Sequence, residues 1–326
     1  MSRIASEDAF LRLIDRHFPR RHPAVPLHRG DDAAVLDLPG RICLTTDLFL
    51  EDAHFRRAYF TPEDIGYKAL AVNLSDVAAM GARPLGFSLV ITSPADAGQN
   101  FWDGVFRGMA ALADSLDTPL VGGDLNRGPS VALAVTAWGG PGPSGRFLTR
   151  GKGRPGDVLF VVGELGLAAV GLAVLEASGR TAVAAWPAAT AAHLRPAARV
   201  EAGLALAEVP GVRGAMDVSD GLAADLPRFL APQTGADIRL APARPHAEVI
   251  AHAATHGLDP AEAAFLGGED YALLGVAAPE ALPEVLRAVP EAYPVGTVTA
   301  GPGITVNGRP ASRRGFDHFE SRPCCT

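Results

Sequence analysis

Tyr67-Lys68-Ala69-Leu70-Ala71-Val72-Asn73-Leu74-Ser75-Asp76 lies inside a helical run. Thr61 is placed to be its N-cap, Pro62 its first residue, and Asp64 the partner that completes a Thr-x-x-Asp box; Gly81 ends it. Asp76 stands one turn from Val72 and one from Met80, on an apolar stripe near the helix C-terminus, where the macrodipole disfavours an anion. A buried carboxylate persists when it is paired, protonated or bound to metal, and Asn73 three residues earlier offers hydrogen bonds only. The reading is a helix to Met80 whose acidic residue asks for a cation.

Upstream, Gly30-Asp31-Asp32-Ala33 leads into an apolar strand to Leu38, the turn Pro39-Gly40 and a second strand from Arg41 to Thr46, ending in Asp47. A hairpin with a two-residue turn puts Asp32 opposite Asp47. Facing like charges cost a few tenths to about 1 kcal/mol, unless something positive sits between them. Downstream the pattern predicts a strand (Phe87 to Thr92), a helix (Phe101 to Leu116) and strands at Leu120 to Val121 and Val131 to Trp138. Asp124 follows Gly122-Gly123 at a predicted strand end, where backbone can approach a ligand closely. In the second half, after a strand at Val158 to Val162 and several helices, Asp217-Val218-Ser219-Asp220-Gly221-Leu222 ends a strand and starts a helix. Each motif alone also reads as an N-cap, a turn or a satisfied structural carboxylate. Together they point to magnesium, which takes carboxylate and phosphate oxygens, and so to phosphoryl transfer.

Composition sets the frame. The 326 residues suffice for two domains, and 48% hydrophobic, 20% charged and 6% aromatic residues describe a globular, soluble chain. A Gly/Pro-rich stretch from Gly139 to Gly145 places the break near residue 148, giving domains 1–148 and 149–326, both α/β or α+β. The net charge of −7, with no massed basic run, argues against nucleic acid. Ser6 to Phe18 reads as an amphipathic helix and not a signal peptide, and the apolar Val158 to Leu175 as strand, turn and helix, so no membrane span and a cytoplasmic location are expected. Cys43, Cys324 and Cys325 fit neither a disulfide framework nor a zinc site. Gly151, Gly153 and Gly156 form a literal G-x-G-x-x-G, but it precedes its strand and contains Pro155, so the dinucleotide-binding reading fails. What remains is a basic loop suited to an anionic ligand.

These motifs assemble into a known pattern. Gly30-Asp31-Asp32-Ala33-Ala34, Thr45-Thr46-Asp47, Ala53-His54-Phe55, Asn73-Leu74-Ser75-Asp76, Gly122-Gly123-Asp124, Leu148-Thr149-Arg150, Asp217-Val218-Ser219-Asp220-Gly221-Leu222, Gly267-Gly268-Glu269-Asp270-Tyr271 and Phe316-Asp317-His318-Phe319 closely resemble the thiamine-monophosphate kinase family. The resemblance implies the two-domain aminoimidazole ribonucleotide synthetase-like fold, with an N-terminal mixed sheet that pairs in a homodimer. It implies direct γ-phosphoryl transfer from ATP to thiamine monophosphate, with no phosphoenzyme. It further implies that Asp32, Thr45, Thr46, Asp47, Asp76, Asp124, Asp217 and Asp220 ligate several magnesium ions. Gly123, Asp124, Arg150 and Ser219 would meet ATP, and His54, Glu269 and Phe316 thiamine monophosphate.

Two positions depart from the family pattern: Asp52, where glycine is usual, and Leu125, where threonine is frequent. The rival readings are another ATP-using synthetase of the same superfamily, or a magnesium-nucleotide-binding protein without turnover. The substrate-side motifs speak against the first.

Overall fold

The computed structural model describes residues 4, 6–29, 32–38, 40–241 and 244–311. The chain divides into two compact units, one of Met1–Phe147 with Ser178–Thr181 and Leu194–Glu208, the other of Leu148–Ala177, Ala182–His193 and Val209–Thr326.

The first unit contains α1 (Glu7–His17), β1 (Cys43–Leu50), α2 (Pro62–Ala79), β2 (Ala82–Ser93), α3 (Gln99–Ser115), β3 (Leu120–Arg127) and β4 (Ala132–Pro141). Further on are β5 (Val158–Val162), α4 (Leu167–Ser178), α5 (Ala182–Ala185), α6 (Pro187–Leu194) and α7 (Val200–Glu208). The remainder is β6 (Val212–Val218), α8 (Leu222–Phe229), β7 (Thr234–Ile238), α9 (Ala247–His256), α10 (Pro260–Leu266), β8 (Ala272–Ala277), α11 (Leu282–Ala288), β9 (Ala292–Ala300), β10 (Ile304–Val306) and β11 (Arg309–Pro310).

In the first unit a four-stranded mixed sheet runs β1-β4-β2-β3, with β2–β3 parallel and the other pairs antiparallel. α2 begins as read: the Thr61 hydroxyl accepts from the Asp64 amide, and the Asp64 carboxylate accepts from the Thr61 amide. Helices cover one face of the sheet, so Phe87, Leu89 and Ile91 are buried there while Ser88, Val90 and Thr92 point the other way.

The expected hairpin does not form. β1 starts at Cys43 and pairs with β4, opposing Asp47 to Val135 and not to Asp32. The segment before it folds back on residues 24–27, with a bridge between Leu27 and Val35 and an Asp37 amide bond to the Ala24 carbonyl. Ala34 and Leu36 pack against Val25, Val121 and Trp138. An apolar surface distant in sequence thus outcompetes the local turn. β3 is also longer than read, running through both glycines to Arg127, so Asp124 sits within a strand and not at its end.

The second unit holds a seven-stranded mixed sheet in the order β11-β10-β7-β9-β5-β8-β6, parallel only at β10–β7. Leu159, Val161, Leu274 and Val276 join Leu222, Leu226 and Phe229 of α8 and Phe265 of α10 in its core. Leu167–Ala185 is, by length and composition, apolar enough to cross a membrane, but it is broken into α4, a 3-10 turn at Gly179–Thr181 and α5. The strand, turn and helix expected over Val158 to Leu175 are present as β5 and α4.

Candidate active site

In the first unit, alternation along β1 turns Thr45 and Asp47 towards α2. The Thr45 hydroxyl donates to Asp76 Oδ2 at 2.5 Å, so this helix carboxylate has a neutral partner that its apolar stripe did not reveal. The Asp47 amide donates to Asn73 Oδ1 at 3.1 Å, and Asn73 Nδ2 donates to the Ala69 carbonyl at 3.1 Å. Asn73, almost fully buried, thereby fixes β1 against α2 beside both acids. Burial first, and the Asp76 charge second, push the Asp47 carboxyl up to about 6.

Two adjoining carboxylates and a hydroxyl are hard oxygen donors, and their mutual repulsion is relieved by a divalent cation; this set fits magnesium. Among the described residues no three His, Cys, Asp or Glu side chains form a complete metal cage. Magnesium is commonly held by one or two carboxylates, with phosphate and water completing its shell.

Other assignments fare differently. Thr46 points to the opposite face of the sheet, where its hydroxyl pairs with that of Thr136 at 2.8 Å, so its side chain is not part of the Asp47–Asp76 group. Asp124 is on that opposite face too, opposite Val90, on the edge strand furthest from β1. Its carboxylate accepts from Asn126 Nδ2 at 2.5 Å. Within one chain the structure therefore separates Asp124 from Asp47 and Asp76. Gly123 has a packing reason for being glycine: a Cβ there would stand 1.8 Å from the Leu89 carbonyl oxygen. Leu125 pairs with Ile91 and alternates away from Asp124. Asp32 is exposed in the segment ahead of β1.

His54 follows β1 in a tight loop. Its Nδ1 accepts from the Leu50 amide at 3.1 Å, which puts the ring proton on Nε2, and its ring stacks over Phe49 at 6.0 Å. Asp52 in this loop has φ of +64°, the left-handed conformation that favours glycine and that aspartate tolerates better than most residues.

In the second unit, Asp217 is the penultimate residue of the edge strand β6 and is buried. The loop after it is organised by Asp225, which the motif reading passed over. Asp225 Oδ2 accepts from the Ser219 and Asp220 amides at 3.0 and 2.9 Å, and Arg228 Nη1 donates to Asp220 at 2.5 Å and to Asp225 at 3.1 Å. Burial, the largest influence on Asp225, pushes its carboxyl up. The signal was available in sequence, since Asp225 lies in the first turn of a helix following a strand.

A second loop is stitched to the first: the Glu269 amide donates to the Ser219 carbonyl at 2.6 Å and the Tyr271 amide to the Val218 carbonyl at 2.9 Å. Glu269 and Tyr271 both have positive φ, +64° and +48°. Such backbone costs on the order of 1–3 kcal/mol per residue and clusters at functional sites. Between them, buried Asp270 accepts from the Gly166 and Ala168 amides at the start of α4 (2.6 and 2.9 Å), and burial above all drives its carboxyl up to about 7. The structure thus gathers Asp217, Ser219, Asp220 and Glu269. Arg150 is exposed beside the far end of α8, where the Gly151 amide donates to the Phe229 carbonyl at 2.9 Å. Phe316 lies outside the described residues.

Two mixed α/β units, each carrying acidic side chains on or beside its sheet, are what the class of AIR synthase related proteins comprises here, one family domain to each part of the chain. The N-terminal domain of that family matches residues 30–140 and the C-terminal domain residues 154–309. The thiamine-monophosphate kinase of Synechococcus elongatus is 35% identical over 309 residues, covering 89% of this chain and 91% of that protein. The solved thiamine-monophosphate kinase from Stenotrophomonas maltophilia K279a has a TM-score of 0.81 at 33% identity, covering 94% and 98% of the two chains. AaThiL complexed with AMPPCP and TMP has a TM-score of 0.78 at 28% identity, over 96% and 97%. The chain belongs to the thiamine-monophosphate kinase family, and it is a kinase.

Proposed function

We propose that this kinase transfers the γ-phosphoryl group of ATP directly to the phosphate of thiamine monophosphate, giving thiamine diphosphate and ADP, the final step of thiamine diphosphate biosynthesis. The observation that carries the magnesium chemistry is the Asp47–Asp76 pair, two neighbouring carboxylates with Thr45 on one of them and Asp47 pushed towards protonation. Relatives of this name over most of the chain, and a neighbour solved with an ATP analogue and TMP, support the substrate pair.

In this reading Thr45, Asp47 and Asp76 hold magnesium in the first unit, with Asp32 contributed from the segment ahead of β1. Asp217 and Asp220 hold it in the second, and Asp225 keeps their loop in shape. Asp124 adds a further carboxylate to metal or nucleotide. Bound magnesium supplies neutralisation of phosphate charge, on which phosphoryl transfer chiefly depends. Gly123, Ser219 and Arg150 serve ATP. His54, Glu269 and Phe316 serve thiamine monophosphate, with the carboxylate suited to the aminopyrimidine and the ring to stacking. No general base is needed, because the incoming phosphate is already an anionic nucleophile.

The protein acts as a soluble, cytoplasmic homodimer. The uncovered face of the first sheet supports the dimer, since Leu44, Leu48 and Val90 there are 64%, 51% and 42% exposed, an apolar surface that a second copy would cover.

The test is to incubate the protein with magnesium-ATP and thiamine monophosphate and follow thiamine diphosphate and ADP. Formation of both is expected. Turnover only on aminoimidazole precursors would instead place it with the synthetases, and tight nucleotide binding without ADP release would make it a binding protein.

A further inference from the structure

Behind Glu269 lies a histidine that the chemistry above does not use. His193, in the last turn of α6, has a side chain only 1% exposed, and its Nδ1 stands 2.9 Å from Glu269 Oε2, while the Glu269 side chain keeps 27% exposure. One member of the pair is thus sealed in the protein and the other opens outward.

Both are held firmly. At the start of α6 the Glu248 carboxylate accepts from the Ala188 and Ala189 amides at 3.1 and 2.7 Å, and the Thr190 hydroxyl donates to the Trp186 carbonyl at 2.7 Å. On the other side the Glu269 backbone has φ +64°, and its amide donates to the Ser219 carbonyl of the loop that follows Asp217 and carries Asp220. A histidine that served packing alone would not need a carboxylate in a left-handed backbone delivered to its Nδ1. An imidazole held against one carboxylate oxygen sets the direction of the whole group, as in sites where a second residue orients the first.

We propose that His193 is a positioning residue for substrate recognition: its ring, with Nδ1 2.9 Å from Oε2, holds the Glu269 carboxylate in place so that this acceptor meets the N–H groups of an amino-substituted heterocyclic ring. The proposal rests on the assignment of Glu269 to thiamine monophosphate and names what aims it.

Steady-state kinetics of the full chain, with both substrates varied, test it. His193→Leu is expected to raise KM for thiamine monophosphate about tenfold, leaving kcat and KM for ATP within about twofold. His193→Asn places an amide nitrogen where Nδ1 stands and should recover most of the loss. His193→Gln, whose nitrogen reaches the Nε2 position, should not. Glu269→Gln should raise the same KM, and the double variant should be no worse than it. Unchanged KM in His193→Leu beside a defective Glu269→Gln overturns the proposal alone. Unchanged KM in Glu269→Gln overturns the assignment of Glu269 and the proposal with it. Should His193→Leu fail to fold, the Asn and Gln variants decide, and equal KM values for these two overturn it.

Discussion

Asp47 shows how little separates a structural acid from a metal ligand. Its backbone is tied to Asn73, Asp76 lies beside it, and burial and that neighbour lift its carboxyl to about 6. Magnesium requires the ionised form, so binding must release the proton that Asp47 carries below that pH. Half-saturating magnesium for turnover should be nearly constant from pH 8 to 7 and climb by up to about tenfold per pH unit below 6. A flat profile down to pH 5 would count against Asp47 as a ligand. Asp76→Asn should lose most activity while keeping its far-UV circular dichroism and unfolding temperature, because the Thr45 hydroxyl can still bond the amide. Near-native turnover in that variant would remove the first-unit metal site.

At the level of elements, the α2–α3 crossing depends on glycines at which side chains would collide with backbone. A Cβ on Gly66 would stand 1.8 Å from the Val105 carbonyl oxygen, and one on Gly108 2.0 Å from that of Glu63. Helix propensity alone would reward Gly108→Ala by about 1 kcal/mol. The contact is with backbone, which cannot swing aside, so a net loss of about 1–3 kcal/mol is expected in urea unfolding. The start of α2 adds a pH dependence. Burial pushes the Asp64 carboxyl up, but Thr61 and Arg195 outweigh it and hold it below its ordinary value; Arg195 lies at 2.6 Å and Arg180 at 3.0 Å. A depressed folded value gives stability that is present above the unfolded value near 3.8 and is lost as pH falls through the folded one. Asp64→Asn should therefore lower the unfolding temperature at pH 7 and narrow the gap to wild type as the pH drops towards 3.

For the molecule as a whole, a second copy is expected on the face carrying Leu44, Leu48 and Val90. Leu48→Asp should shift the protein from dimer to monomer in analytical ultracentrifugation, while a wild-type protein that sediments as a monomer would remove the dimer. Much of this molecule was legible in the sequence because it rests on local chemistry. The capping box at Thr61, the end of α2 near Gly81 and the passage from β6 through Asp217 into α8 depend on residues a few positions apart. Strand pairing does not. Whether Asp47 would face Asp32 or Val135 depended on which apolar surface Ala34 and Leu36 could reach, and most of that surface, Val121 and Trp138, lies far away in sequence. The same holds for side-chain direction. A strand sends neighbours to opposite faces, so Thr45 joins Asp76 while Thr46 and Asp124 turn away. His193 was invisible as a partner because its meaning comes from Glu269, while Asp225 could be placed in a first helical turn but its bonds to the Ser219 and Asp220 amides could not be read. By itself the sequence determined most of the elements, the acidic residues and the family. Only the tertiary structure decided which of those acids become neighbours, because pairing across a sheet is set by long-range packing and not by the turn next to it.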